Sequence, residues 1–179
     1  KEKFIPKQYW HYDKKSEKNG TIFIHLTSIL NTDIKSIYEN HAGCERGYFY
    51  IEKHDPITIP KKNQNKLKIY LPDLILKNVK NHEILIIEGK QSQKLKKGLE
   101  EIKHFELIEK DYIKKYYPNY KIQRWVSTFG ENIYNNDLNS QVILHLNTNG
   151  SYIINEKSPK WFQKSFQNIN TNKIFNPKY

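Results

Sequence analysis

Several residue types are scarce or absent, and each absence removes a class of chemistry. Cys44 is the single cysteine of 179 residues. It allows no internal disulfide and no multi-cysteine zinc site, which fits a reducing compartment. His41 lies near it in sequence, but a thiol nucleophile needs a base held by geometry, so this mechanism is set aside. The seven histidines are scattered, with no HExxH pair, so a zinc enzyme is not expected. No glycine loop ends in Lys-Ser or Lys-Thr and no GxGxxG occurs, which argues against P-loop and dinucleotide sites. No apolar run approaches the roughly 20 residues of a membrane span, and no signal peptide is visible, so a cytoplasmic location without membrane association is expected. Methionine is absent altogether and the chain opens on Lys1. The expectation is a missing or processed start, or a piece of a longer polypeptide.

Acidic residues are also few. Nineteen Asp and Glu face 30 Lys and Arg, giving a formal net charge of +11. Basic surface neutralises phosphates and releases counterions, so nucleic acid is the leading partner. Richness in lysine and asparagine also follows from AT-rich coding, so charge alone does not decide this. Mean hydropathy is −0.84 and aromatics make up 13%, which predicts a lean core built from large side chains. The length fits one domain over 1–179, with a basic arm at about 1–20 and an Asn-rich tail at about 168–179.

The stretch at 66–90, KLKIYLPDLILKNVKNHEILIIEGK, organises the rest. Pro72-Asp73 opens the apolar run Leu74, Ile75, Leu76. A polar turn at 77–82 follows, and Ile84 to Ile87 end in Glu88-Gly89-Lys90. This pattern predicts an antiparallel hairpin in which the start of the first strand lies beside the end of the second, so that Asp73 meets Glu88. Alternation puts Glu88 and Lys90 on the face of Ile86, with Gly89 facing away. Two converging carboxylates suit a hard divalent cation such as Mg²⁺, and a lysine beside them can orient water or offset charge on phosphate. A purely structural salt bridge among the same three residues is the alternative.

These residues resemble the PD-(D/E)XK nuclease signature, shared by most type II restriction endonucleases and many repair and recombination nucleases. The resemblance covers roughly 33–130. It implies an α/β fold with a mixed central sheet flanked by helices, a restriction-endonuclease-like core. It also implies Mg²⁺-dependent hydrolysis of double-stranded DNA, most readily by a homodimeric restriction enzyme, with a repair nuclease or a non-catalytic DNA-binding module as alternatives. Asp73, Glu88 and Lys90 match the catalytic positions, and Asp73 and Glu88 the metal ligands. Glu39, on an expected helix before the hairpin, is the candidate for a further acid in the metal shell, with Glu45 and Glu52 as rivals.

The flanking elements are read by pattern. Residues 21–26 are apolar and β-branched and predict a strand. Ile34, Ile37 and Tyr38 lie at helical spacing and predict a helix over 33–41, before Gly43. A strand is expected at 48–51 and a basic loop at 61–66, where Lys61, Lys62 and Lys66 are candidate DNA contacts or plain solvated residues. From 92 to 117 the stripe Leu95, Leu99, Ile102, Phe105, Ile108, Tyr112, Tyr116 predicts a helix ended by Pro118, with Ile113 at or beyond its margin. Gly98 in it marks close packing, and Lys94, Lys96 and Lys97 in its first turns are candidate phosphate contacts or a solvated face. A strand over 121–129, parallel to the Glu88 strand, should complete a right-handed crossover. A second hairpin is expected at 141–146 and 151–154, then a short helix from Ser158-Pro159 burying Trp161, Phe162 and Phe166.

Overall fold

A computed structural model describes residues 16–28, 30–40, 57–60, 68–131, 139–167 and 169. Over these described residues the chain is α/β, with a mixed six-stranded open sheet whose strands lie side by side in sequence order. These are β1 (Ile34–Glu39), β2 (Leu74–Asn78), β3 (Glu83–Gln91), β4 (Lys121–Gly130), β5 (Val142–Asn147) and β6 (Tyr152–Ile154). The pairs β1/β2, β2/β3 and β5/β6 are antiparallel, whereas β3/β4 and β4/β5 are parallel. Among the described residues, no helix is long and apolar enough to cross a membrane.

The predicted hairpin forms as β2 and β3. Leu74 pairs with Ile87 and Asn78 with Glu83, leaving a tighter turn than expected, at 79–82. His82 takes φ 53° there, a left-handed conformation uncommon outside glycine, asparagine, aspartate and histidine. Both strands are buried on both faces, as their continuous apolar runs require. Leu74, Leu76, Leu85 and Ile87 join one core, and Ile75, Ile84 and Ile86 join the other.

The first core is covered by α1 (Asn19–Ser28) and α5 (Lys160–Ser165). Here the sequence expectation fails, because 21–26 is helical rather than extended. Every residue of α1 is buried, so no polar face remains to impose a 3.6-residue period. The helix also reaches the sheet closely: a Cβ on Gly20 would lie 2.4 Å from Ser127 Oγ. Residues 34–39, predicted helical, are instead β1. Ile34 joins the first core and Ile37 the second, as alternation requires, and a bulge between Ser36 and Tyr38 then breaks the alternation so that Tyr38 packs beside Ile37 on the second core.

The second core is covered by a helical run over 92–116, as predicted. It comprises a 3₁₀ turn (Ser92–Lys94), α2 (Leu95–Glu101), a second 3₁₀ turn (Ile102–Phe105), α3 (Glu106–Ile108), a π turn (Glu109–Ile113) and α4 (Lys114–Tyr116). Ile102, Phe105 and Ile108 are buried as expected, but Tyr116 is 55% exposed and Ile113 is fully buried. The π turn accounts for this exchange. Its extra residue advances the buried stripe by one, to Ile113 and the partly buried Tyr117. Arg124 of β4 ion-pairs with Glu109 in that turn and donates to the Ile102 carbonyl at 3.1 Å. The expected strand at 48–51 and the loop with Lys61, Lys62 and Lys66 lie outside the described residues, as do Cys44, Glu45, Glu52, residues 1–15 and most of the tail.

Candidate active site

Pairing of Leu74 with Ile87 carries Asp73, one residue before β2, to the level of Glu88. The Gly89 amide fixes Asp73 by donating to its Oδ2 at 2.8 Å. A side chain at this position would be crowded: a Cβ would lie 3.0 Å from the Glu17 carbonyl, 3.1 Å from Asp73 Oδ2 and 3.2 Å from Thr21 Cγ2. Gly89 thus lets the start of α1 close over one face while Glu88 and Lys90 turn to the other. All three charged residues are buried, at 3%, 7% and 5% exposure for Asp73, Glu88 and Lys90.

Lys90 Nζ lies 3.3 Å from Glu88 Oε1, 2.8 Å from Glu101 Oε2 and 3.8 Å from Glu17 Oε1. Its stem packs under α2, where a Cβ on Gly98 would come within 2.8 Å of Lys90 Cγ and 3.2 Å of Val126 Cγ1. The close packing expected at Gly98 is therefore the packing that holds the lysine. On the other side, Lys18 Nζ donates to Asp73 Oδ1 at 2.5 Å and to the Asn40 carbonyl at 2.9 Å. Four carboxylates and two ammonium groups form one cluster at the ends of β2 and β3.

The charges are unevenly compensated. Burial raises the Asp73 carboxyl above its usual range, although Lys18, the Gly89 amide and Lys90 all oppose the rise. Burial also pushes Glu88 up to about 9, with the Asp73 charge adding to the shift and Lys90 only partly offsetting it. The Glu88 carboxyl shares a hydrogen bond with Glu101, which adds to the rise, and by geometry its buried Oε2 has no hydrogen-bond partner among the described residues. Burial acts against the Lys90 ammonium as well, but the Glu101 hydrogen bond and the Glu88 and Glu17 charges outweigh it, so Lys90 is held above the ordinary lysine range. Glu101 is likewise exposed to a desolvation penalty that its contacts with Lys90 overcome, which keeps it ionised.

Glu39 occupies a different setting. It ends β1 opposite Leu74 rather than lying on a helix, and its Oε2 is 3.1 Å from Nδ1 of the fully buried His25 of α1. Burial raises its carboxyl to about 8. Lys94, Lys96 and Lys97 are exposed on the first turns after β3, and Lys97 lies 3.8 Å from Glu101. Sequence reasoning missed Glu17, Lys18 and Glu101. Glu101 had a signal, since three residues after Gly98 it returns to the helix side facing β3. Lys18 and Glu17 had none while the segment after them read as a strand.

Among the described residues no three acidic, histidine or cysteine side chains converge as a complete ligand group. The Asp73 charge acts on Glu88, Glu88 Oε2 is buried without a hydrogen-bond partner among the described residues, and Asp73 already draws the Lys18 ammonium. An all-oxygen pair fits Mg²⁺, which takes one or two carboxylates and completes its shell with water and phosphate oxygens. No family model, no curated protein and no solved structure matches the chain.

Proposed function

We propose that this chain is a Mg²⁺-dependent endonuclease acting on double-stranded DNA, with the PD-(D/E)XK arrangement of residues, most readily a type II restriction endonuclease working as a homodimer. The observation that carries this reading is the hairpin register that sets Asp73 level with Glu88, with Lys90 3.3 Å from Glu88 and the Glu88 carboxyl raised by burial and by the Asp73 charge. Asp73 and Glu88 would hold the ion. Bound there, Mg²⁺ supplies Lewis-acid polarisation of the phosphate and a lowered pKa for water. The Lys90 ammonium, gripped by Glu101, keeps its proton and stabilises the charge that builds on the phosphate oxygens, rather than acting as a base. The net charge of +11 and the exposed Lys94, Lys96 and Lys97 support a phosphate-rich partner.

The test is cleavage of plasmid and mixed-sequence duplex DNA with and without Mg²⁺. Wild type is expected to yield metal-dependent fragments, and Asp73→Asn to lose at least about 10²-fold in rate. Intact DNA with wild type, or equal cleavage by Asp73→Asn, would reject the reading. One observation favours a second reading: Lys18 and Lys90 already pair with Asp73, Glu88 and Glu101, as in a structural ion-pair cluster of a DNA-binding module. That module would bind DNA equally well without metal and cut nothing.

Gly98→Ala probes positioning apart from charge. The added Cβ displaces the Lys90 stem, so cleavage is expected to fall about 10-fold or more while helix content by circular dichroism is unchanged. Full activity in this variant would mean that the tight Gly98 contact has no bearing on Lys90.

A further inference from the structure

Beyond the carboxyl ends of the parallel strands β3, β4 and β5 lies a groove of about 450 Å³, within the roughly 300–1,000 Å³ range of small-ligand sites. Open α/β sheets bind ligands outside these strand ends. The groove begins at Gln91, the residue after Lys90, and continues through Gln93 to Glu131 and Thr148. We propose that it receives the edge of a nucleobase flanking the phosphate at Lys90, and so sets the DNA sequence on which the enzyme acts. This inference rests on the nuclease reading.

The lining selects against phosphate. In a chain with 30 Lys and Arg, no basic residue is among the described residues lining this groove, and Glu131 supplies a carboxylate. An anionic backbone would be repelled there, whereas an exocyclic base amine would be accepted. Gln93 Nε2 donates to Gln91 Oε1 at 2.9 Å, which aligns two amides. Glutamine amides present the paired donor and acceptor that read base edges, adenine above all. Phe129 adds an apolar wall. Space is kept by Gly130, where a Cβ would meet Ser92 Oγ at 2.3 Å, and Ser92 is itself held by donation to the Phe129 carbonyl at 3.1 Å.

The test selects bound duplexes from a randomised pool in Ca²⁺, using wild type, Gln93→Ala and Glu131→Gln, and then measures Mg²⁺-dependent cleavage of the selected DNA. Both positions are exposed, so the variants are expected to keep the fold. Wild type should enrich a short motif, and each variant should relax preference about 10-fold at one or two positions of it. If the variants enrich the same motif with the same preference, or wild type enriches none, the groove is not a base reader even where DNA is cut. A motif that the variants relax in a protein that cuts nothing would uphold the groove and reject the nuclease reading.

Discussion

Glu88→Gln is expected to abolish DNA cleavage and, at the same time, to make the folded chain more stable above neutral pH. The Glu88 carboxyl is raised from 4.5 to about 9 by burial first and by the Asp73 charge second. The folded state therefore holds a proton that the unfolded state releases as pH rises above its own value. Stability contributed by this group is present below about 4.5 and is lost as pH climbs through about 9. Glutamine keeps the neutral shape without the ionisation. In mildly alkaline, metal-free buffer the variant should gain at least about 1.4 kcal/mol, the equivalent of one pH unit of linkage. Glu39, raised to about 8, leaves a residual slope of the same sign. Denaturant melts of both proteins across this pH range read the effect directly. If Glu88 were an ionised structural partner of Lys90, the variant would instead be less stable at neutral and alkaline pH. A gain in stability coupled to loss of cleavage is what a site strained for function produces.

Lys90→Met should also remove cleavage, by about 10²–10³-fold, but with the opposite effect on stability. Lys90 is the shared counter-charge for Glu88 and Glu101 and lies within 3.8 Å of Glu17. Removing it leaves the buried Glu88 and the half-buried Glu101 and Glu17 without their shared counter-charge. Breaking a fully buried group typically destabilises by about 3–5 kcal/mol, and the partial exposure of Glu101 and Glu17, with the ability of Glu88 to take up a proton, places the expectation at or below the lower end. Methionine retains most of the stem that packs under Gly98, which isolates the charge from the packing. Equal cleavage by Lys90→Met and wild type would remove the lysine from the chemistry. An unchanged melt would mean that the carboxylates do not depend on it.

Together these variants separate a functional cluster from a structural one. A structural ion-pair cluster loses stability whichever member is removed. A metal site without its metal instead carries surplus negative charge, so removing an acid relieves it and removing a base aggravates it.

The central hairpin was legible because its signals agree. Continuous apolar runs, a polar turn and charged ends led to the Asp73–Glu88 alignment and to Lys90 on the face of Ile86. The helical run over 92–116 was legible for the same reason, down to the tight contact at Gly98. Its last turns were not, since a π turn has no marker in the pattern and moved the stripe from Tyr116 to Tyr117. The two elements at the start of the described chain were misread for opposite reasons. Helix α1 is buried on every side, so Thr21 to Leu26 have no period and their β-branched composition read as a strand. In β1 the spacing of Ile34, Ile37 and Tyr38 imitates a helix, and the bulge that sets Tyr38 beside Ile37 has no marker in the sequence. That second error carried Glu39 with it. The parallel pairing of β4 with β5 has no local signature, because it depends on contacts between distant segments.

Asp73 and Glu88 are proposed to hold a divalent cation beside Lys90. The most direct measurement titrates Mn²⁺, a spectroscopic substitute for Mg²⁺, into the full chain with and without duplex DNA at near-neutral pH, following loss of the free-ion EPR signal. Wild type is predicted to take up the ion saturably, and Asp73→Asn to bind at least about 10-fold more weakly, as loss of one of two protein ligands implies. No uptake by wild type under either condition, or equal uptake by both proteins, would contradict the account.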